Sequence, residues 1–367
     1  MTFHKNLAWV SLLLVGALGT GCASTVTLNV LRPADVYVPP QIQTLAVIDR
    51  SQATSTGGKV LAALEGALTG EQIGLDQAGR REALNRVSEL LAASPRFKVI
   101  RPATDALSVE SDLLMSVLSG TTAQRICARE KCDAIISLEM FDSDMTVIDK
   151  EIMTEYTDEN GKPHKKRQHE AAMDGTLVIG WRLYDARQGT ILDEQLNKDR
   201  QQHWSFTADT FQEAAAQLPS QEGWVLEGAR YFGDFYARRI APTYIYVERS
   251  YYTSFDDRLK KAADHVKVND WMGAVNIWET MKTDPNPKNR GKALYNLAIA
   301  KEVEGDLDGA YKLAQQSCIE KSNGRCQNYV AILSSRIADR AKLKQQLAPP
   351  PPVAPAPPPP PKGTKRQ

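Results

Sequence analysis

The chain has 367 residues, with 45 Lys and Arg against 44 Asp and Glu, for a net charge of +1. So even a balance sets up no long-range field for nucleic acid and excludes a strongly basic or acidic binder. An apolar content of 42% is that of a folding chain, and the length accommodates two domains with cores of their own.

The chain opens with His4 and Lys5, then an apolar-to-small run from Leu7 to Leu18, closed by Gly19-Thr20-Gly21-Cys22. The run is too short to span a bilayer, and its basic, apolar, small order is that of a secretory signal. Small residues followed at once by cysteine resemble a lipoprotein signal-peptidase site, with Gly19 where leucine is usual and Leu18 one step further back. The resemblance implies a signal peptide over 1–21 and lipidation at Cys22. With Ala23 and Ser24 next, it also implies an outer-membrane lipoprotein facing the periplasm, tethered to the membrane through that cysteine. No second stretch is apolar and long enough to cross as a helix.

Four further cysteines fall into two local pairs, Cys127 with Cys132 and Cys318 with Cys326. In an exported chain this arithmetic predicts two disulfides in those pairings. Neither spacing is that of a zinc knuckle, and no histidine cluster accompanies them; free buried thiols are the alternative.

Residues 22–41 read as an extended tether, partly paired as a strand through Val26, Leu28 and Val30. Ile42 to Arg50 is a short branched apolar run, as for a strand buried on both faces. Helical spacing follows at Val60, Leu61, Leu64 and Leu68, then at Leu84, Val87, Leu90 and Leu91 until Ser94-Pro95 stops it. Phe97 to Ile100 reads as a strand. Leu113, Leu114, Val117 and Leu118 suggest another helix, with Thr122 capping the next, which runs to Arg129. Asp133 to Phe141 is a central strand. This β-α-β-α-β order predicts a parallel core. If Cys127 and Cys132 are bridged, the helix has to end between them, because within one helix they would point apart.

The rhythm then changes. Met145 to Tyr156 is strand-like, residues 158–163 carry turn chemistry, and Leu177, Ile179, Trp181 and Leu183 alternate. Arg187-Gln188-Gly189 turns the chain into Thr190–Phe206. The prediction is an antiparallel meander added to the parallel core. Helices follow at Phe211–Leu218 and Val225–Ile240, then a tyrosine-rich edge strand or linker at Tyr244–Tyr252.

From Phe255 the pattern is helical with an internal echo: Asn269-Asp270-Trp271, Gly273 and Ala274 recur 36 residues later as Gly305-Asp306-Leu307, Gly309 and Ala310, and Ala262 recurs as Ala298. Cys326, Val330, Leu333 and Ile337 form the stripe of a capping helix. The Pro-Ala segment after residue 348 favours polyproline II and ends in Lys362, Lys365 and Arg366. The expected organisation is a tether to 41, a mixed α/β domain over 42–250, an all-α helical module over 251–347 and a disordered tail over 348–367.

Three resemblances follow. The strand at 45–50, the run "FKVI", the strand at 132–141 and the hairpin at 175–195 resemble the amino-terminal domain of the Tol-system periplasmic protein and the periplasmic domain of the curli-secretion lipoprotein. Residues 30–51 look like the start of a family of bacterial envelope lipoproteins whose activity is unassigned. The echo resembles tetratricopeptide repeats of the Sel1-like kind, although Arg258 and Lys261 stand where bulky apolar residues are expected. These resemblances imply interaction or assembly, and fold alone does not fix function.

Catalytic patterns are not met. Residues 54–59 sit where a phosphate loop would, but Ala53 replaces its first glycine and Val60 its final hydroxyl residue. The five histidines are scattered, and Lys165-Lys166-Arg167 reads as a solvated hairpin tip. The expectation is a non-catalytic protein without cofactor or metal, an interaction or assembly scaffold. A curli-like secretion component and an envelope hydrolase are the alternatives. Its partner is expected to be an envelope protein or peptide held between helix pairs by Lys292, Tyr295, Ile299 and Glu302.

Overall fold

The branched run after Ile42 forms the strand on which the first unit is built. The computed structural model describes residues 23–51, 74–102 and 117–350. The signal stretch with Cys22, the helix expected at Val60–Leu68, the phosphate-loop look-alike, Leu113 and Leu114, and most of the Pro-rich tail lie outside those residues. The chain divides into two compact units, residues 31–245 with 339–367, and residues 1–30 with 246–338.

In the first unit, β2 (Thr44–Asp49) sits between β3 (Lys98–Ile100) and β4 (Ala134–Thr157), parallel to both. β4 turns into β5 (Pro163–Asp185) and β5 into β6 (Thr190–Trp204), both antiparallel, giving the order β3-β2-β4-β5-β6. The parallel core with an added meander is therefore present.

Helices α1 (Leu75–Ala93) and α4 (Gln221–Ile240) contribute Leu84, Val87, Leu91 and Tyr236 to one core with Leu45, Val47, Ile136 and Trp181. α2 (Gly120–Glu130) adds Ala123 and Ile126 to a smaller core with Ile48, Ile135 and Tyr184. α1 stops as expected: Ser94 is extended, as a residue before proline prefers, and its N–H donates to Leu90 O. A short α3 (Phe211–Ala215) starts on a Thr210–Glu213 capping box.

Two details differ from the sequence reading. The cap of α2 is Ser119, whose hydroxyl accepts from Thr122 N at 3.2 Å; Thr122 lies inside the first turn, and Val117 and Leu118 precede the helix as irregular chain. And β4 runs unbroken through 24 residues, so that with β5 it extends beyond β6 as a two-stranded ribbon. Its charged sequence is the reason it folds as a solvated ribbon: Lys165 pairs with Glu155, Arg167 with Glu151 and His169 with Asp149 along one face.

The Cys127–Cys132 disulfide is formed. α2 ends between the two cysteines at Lys131, which is left-handed with φ 58° and lets Cys132 N reach Cys127 O. The helix end that a bridge demands is present.

The second unit is helical apart from one strand pair. β1 (Ala23–Arg32) pairs with β7 (Thr243–Tyr252), and Val26 packs on the helical core. The strand expected through Val26, Leu28 and Val30 is present, and residues 23–30 belong to this unit. α5 (Asp257–Lys267), α6 (Trp271–Thr280), α7 (Pro287–Glu304), α8 (Leu307–Glu320) and α9 (Gly324–Gln346) follow.

The echo has a physical counterpart. Asp270 and Asp306 each cap a helix by accepting from the backbone N–H of Gly273 and Gly309, and Ala262, Ala274, Ala298 and Ala310 are fully buried. The residues before the two aspartates, Asn269 and Gly305, are both left-handed, at φ 61° and 88°. Arg258, out of pattern for a core position, is taken up by ion pairs to Asp256 and Asp284. The Cys318–Cys326 disulfide ties α8 to α9.

Candidate functional site

Helix α7 carries the four residues expected to form a partner groove, and the structure separates them. Ile299 is fully buried, Tyr295 is 4% exposed, and the Glu302 side chain is wholly inside. The face they share is filled by β7 and α9. Asn296 accepts from Tyr252 N at 2.8 Å and donates to Tyr252 O at 2.7 Å, pinning the strand. The Tyr252 ring meets Tyr295 edge-on at 5.2 Å, and Tyr295 lies 5.1 Å from Tyr329. Tyr295, Ile299 and Glu302 are therefore core residues and line no open groove.

Glu302 accepts from Arg249 Nε and Nη2 at 2.8 and 2.9 Å, from the Tyr329 hydroxyl at 2.7 Å and from Arg336. Burial pushes this carboxyl up, but the hydrogen bonds from Arg249 and Tyr329 outweigh it and hold Glu302 below the usual range. The same contact, added to burial, drives the Tyr329 hydroxyl upward. Burial lifts the Tyr295 hydroxyl to about 12.

Of the four, Lys292 lines a pocket of about 130 Å³, together with Tyr252, Lys288, Gly291, Lys321 and Asn323. Lys288 and Lys292 lie one turn apart on α7, which starts on an Asn286 cap with proline at its first position. Gly291 brings α8 close: a Cβ there would stand 3.3 Å from both Lys321 Cβ and Ser317 O, and Ser317 Oγ donates to Gly291 O at 2.7 Å. Lys321 is thereby set against the two α7 lysines. Asn323 accepts from Cys326 N at 3.0 Å, capping α9 at the pocket's lip. Arg325 lies 4.6 Å above the Tyr252 ring, and Lys292 Nζ lies 4.5 Å from the Phe255 centroid. Phe255 itself is 83% exposed and left-handed at φ 72°.

The charges around this pocket are unbalanced. Among the described residues Lys288, Lys292, Lys321 and Arg325 form no ion pair within 4.0 Å, whereas their neighbour Arg290 pairs with Glu320 at 2.7 Å. Burial lowers the Lys292 pKa; Asp256 opposes that shift and Lys288 adds to it. The arrangement can hold a small anion, and its residues offer no nucleophile–base pair. A sequence signal for it exists: Lys288-x-x-Gly291-Lys292 recurs as Lys321-x-x-Gly324-Arg325.

The first unit holds the other polar cluster. Glu139 on β4 accepts from Arg50, just past β2, at 2.7 and 2.9 Å, and from the Tyr184 hydroxyl at 2.8 Å; Arg182 stands 3.8 Å away. The carboxyl ends of parallel strands are where open α/β sheets take ligands. Burial and the Glu139 charge push the Tyr184 hydroxyl up to about 12. Here every carboxylate oxygen is already engaged by a neighbour within the cluster.

Two histidines of the β4–β5 ribbon and one in the last turn of α5 pair with single aspartates, His164 with Asp158, His169 with Asp149 and His265 with Asp270. Among the described residues no three His, Cys, Asp or Glu side chains gather as a metal site, and no helix is long and apolar enough to cross a membrane.

No curated protein matches the chain. Among solved structures it is similar to two PelC dodecamers from Paraburkholderia phytofirmans, one of them a point variant. They are 9% and 8% identical, the alignments cover 59% of this chain and 98% and 99% of theirs, and the TM-scores are 0.25 and 0.24. A second family, described as Domain of unknown function (DUF6340), matches residues 260–335. The family described as Domain of unknown function (DUF8603) matches residues 42–252, more than half of the chain, and the protein belongs to that family.

Proposed function

We propose that this protein is a non-catalytic envelope lipoprotein, held to the outer membrane by acyl chains at Cys22, that works as an interaction or assembly scaffold. Its helical unit, built of tetratricopeptide-like hairpins, docks a segment of another envelope protein. The observation that carries the reading is the pocket on that unit, where cations and aromatic rings converge and, among the described residues, no ion pair within 4.0 Å takes up those cations. The repeated Asp caps and buried alanines support the repeat character of the hairpins.

The curli-like alternative would need a ribbon of alternating apolar residues for the bilayer. The β4–β5 ribbon instead carries the cross-strand ion pairs of Lys165, Arg167 and His169. A hydrolase would draw on the Glu139 cluster, whose groups are spent on one another.

The test is a photo-crosslinking residue in place of Phe255 in the native envelope, with fatty-acid labelling followed in parallel. A discrete protein adduct and labelling lost in Cys22→Ala are expected. Absence of any adduct would end the docking reading, and labelling that survives Cys22→Ala would end the lipid anchor.

A further inference from the structure

The pocket's chemistry says more about its occupant than that it is a protein. Three lysines line it, Lys288 and Lys292 from α7 and Lys321 from the turn after α8, and a fourth cation, Arg325 from the first turn of α9, lies over the lining Tyr252 ring. The helical unit pairs its other arginines closely, Arg249 and Arg336 with Glu302, Arg290 with Glu320 and Arg258 with Asp256. Two of the four at the pocket instead rest against aromatic faces, Lys292 on Phe255 and Arg325 on Tyr252. A ring face attracts an exposed cation less strongly than a charge-assisted hydrogen bond does. An anion entering between them gains such bonds and removes the repulsion between Lys288 and Lys292.

Phe255, presented to solvent at the rim, adds an apolar contact that a bare ion cannot use. Three of the four cations are lysines, compact point-charge donors that impose no planar geometry on the anion they meet. Gly291 is the residue that lets the α7 pair and Lys321 approach one another.

We propose that this pocket binds carboxylates of an acidic protein segment, with an apolar side chain of the same segment laid on Phe255. The proposal rests on the docking reading above and specifies the partner's chemistry. Peptide binding by the isolated full chain does not require the native partner, so its failure and the failure of the envelope crosslink are separate results.

The experiment is fluorescence anisotropy with the full chain in detergent. The probe is a labelled peptide of sequence Glu-Glu-Phe-Glu-Glu, compared with its Gln-Gln-Phe-Gln-Gln counterpart. Expected results are binding of the acidic peptide alone, and affinity about tenfold weaker, about 1.4 kcal/mol, in the double variant Lys292→Gln, Lys321→Gln. Lys321→Arg, which keeps the charge, should retain binding, and all variants should melt with the parent chain. Inorganic phosphate at millimolar concentration and phosphatidylglycerol vesicles should compete poorly. Equal binding of the two peptides, or no loss in the double variant, would overturn the proposal. So would lysine-dependent capture of phosphate or vesicles in preference to the peptide.

Discussion

Each unit of this molecule buries one carboxylate beneath two arginines and a tyrosine. In the sheet unit Glu139 meets Arg50, Arg182 and Tyr184; in the helical unit Glu302 meets Arg249, Arg336 and Tyr329. The partners arrive differently. Those of Glu139 come from strands flanking β4, already joined to it by ladders of backbone hydrogen bonds. Those of Glu302 come from a strand and a helix that share no backbone ladder with α7. In the first case the fold delivers the ion pair. In the second the ion pair is among the contacts that assemble the fold, alongside the Asn296 clip on Tyr252. A buried ion pair adds little net stability over apolar residues, but removing one partner strands the others.

The largest effect is therefore expected from Glu302→Ala. It should destabilise the helical unit by about 3–5 kcal/mol, as for other broken buried pairs, in urea unfolding followed separately for the two units. Glu139→Ala should cost less and leave the sheet's amide-exchange protection largely in place. Equal loss of protection in both variants would dissolve the contrast. Acid should act on the helical unit through the same residue: with its pKa held low, Glu302 stabilises fully above the ordinary glutamate range, and that stability is lost as pH falls through its own lower value.

Reduction of Cys318–Cys326 should come next. Opening so short a loop is expected to remove about 2–4 kcal/mol from the helical unit, read as a lower Tm for that unit in Cys318→Ser than in Cys127→Ser for the other. A smaller effect of opposite sign is expected in the sheet unit. Burial, with Asp144 and Asp76 nearby, raises Asp142 to about 6. Its stability is then full below the unfolded value and declines as pH rises toward 6. Asp142→Asn should stabilise by about 1 kcal/mol at pH 7.5 and not at pH 4, allowing for solvent screening. Least affected is the helical caps' contribution: Asp306→Ala should cost about 1 kcal/mol by losing the bond to Gly309 N, with Asp270→Ala its equivalent in the first hairpin.

Much of the architecture was legible because apolar period and turn chemistry agreed. The strand after Ile42, the stop at Ser94-Pro95, the run from Asp133 and the echo at Asp270 and Asp306 were of that kind. The extent of the β4–β5 ribbon was not, since a strand pair solvated on both faces carries charge instead of an apolar period. Nor was the membership of residues 23–30 in the helical unit, which depends on pairing with a strand more than 200 residues later.

The site was half readable. Lys292, Tyr295, Ile299 and Glu302 do fall at helical spacing, but spacing does not say what packs on that face, and β7 and α9 pack there. The true companions of Lys292 are Lys288, one turn earlier, and Lys321, delivered by a helix contact that Gly291 permits. The doubled Lys-x-x-Gly-basic pattern held that information in plain view, unmarked by any apolar rhythm.

The Cys318–Cys326 bond encloses Lys321, Asn323 and Arg325. Half of the cationic rim is thus stapled into position by a covalent link that survives only where thiols are oxidised. Without that link, the turn carrying Lys321, Asn323 and Arg325 depends on noncovalent contacts alone. If the proposed docking holds, capture of an acidic segment should be weaker in the reduced chain than in the oxidised one, and anisotropy with and without reductant checks this.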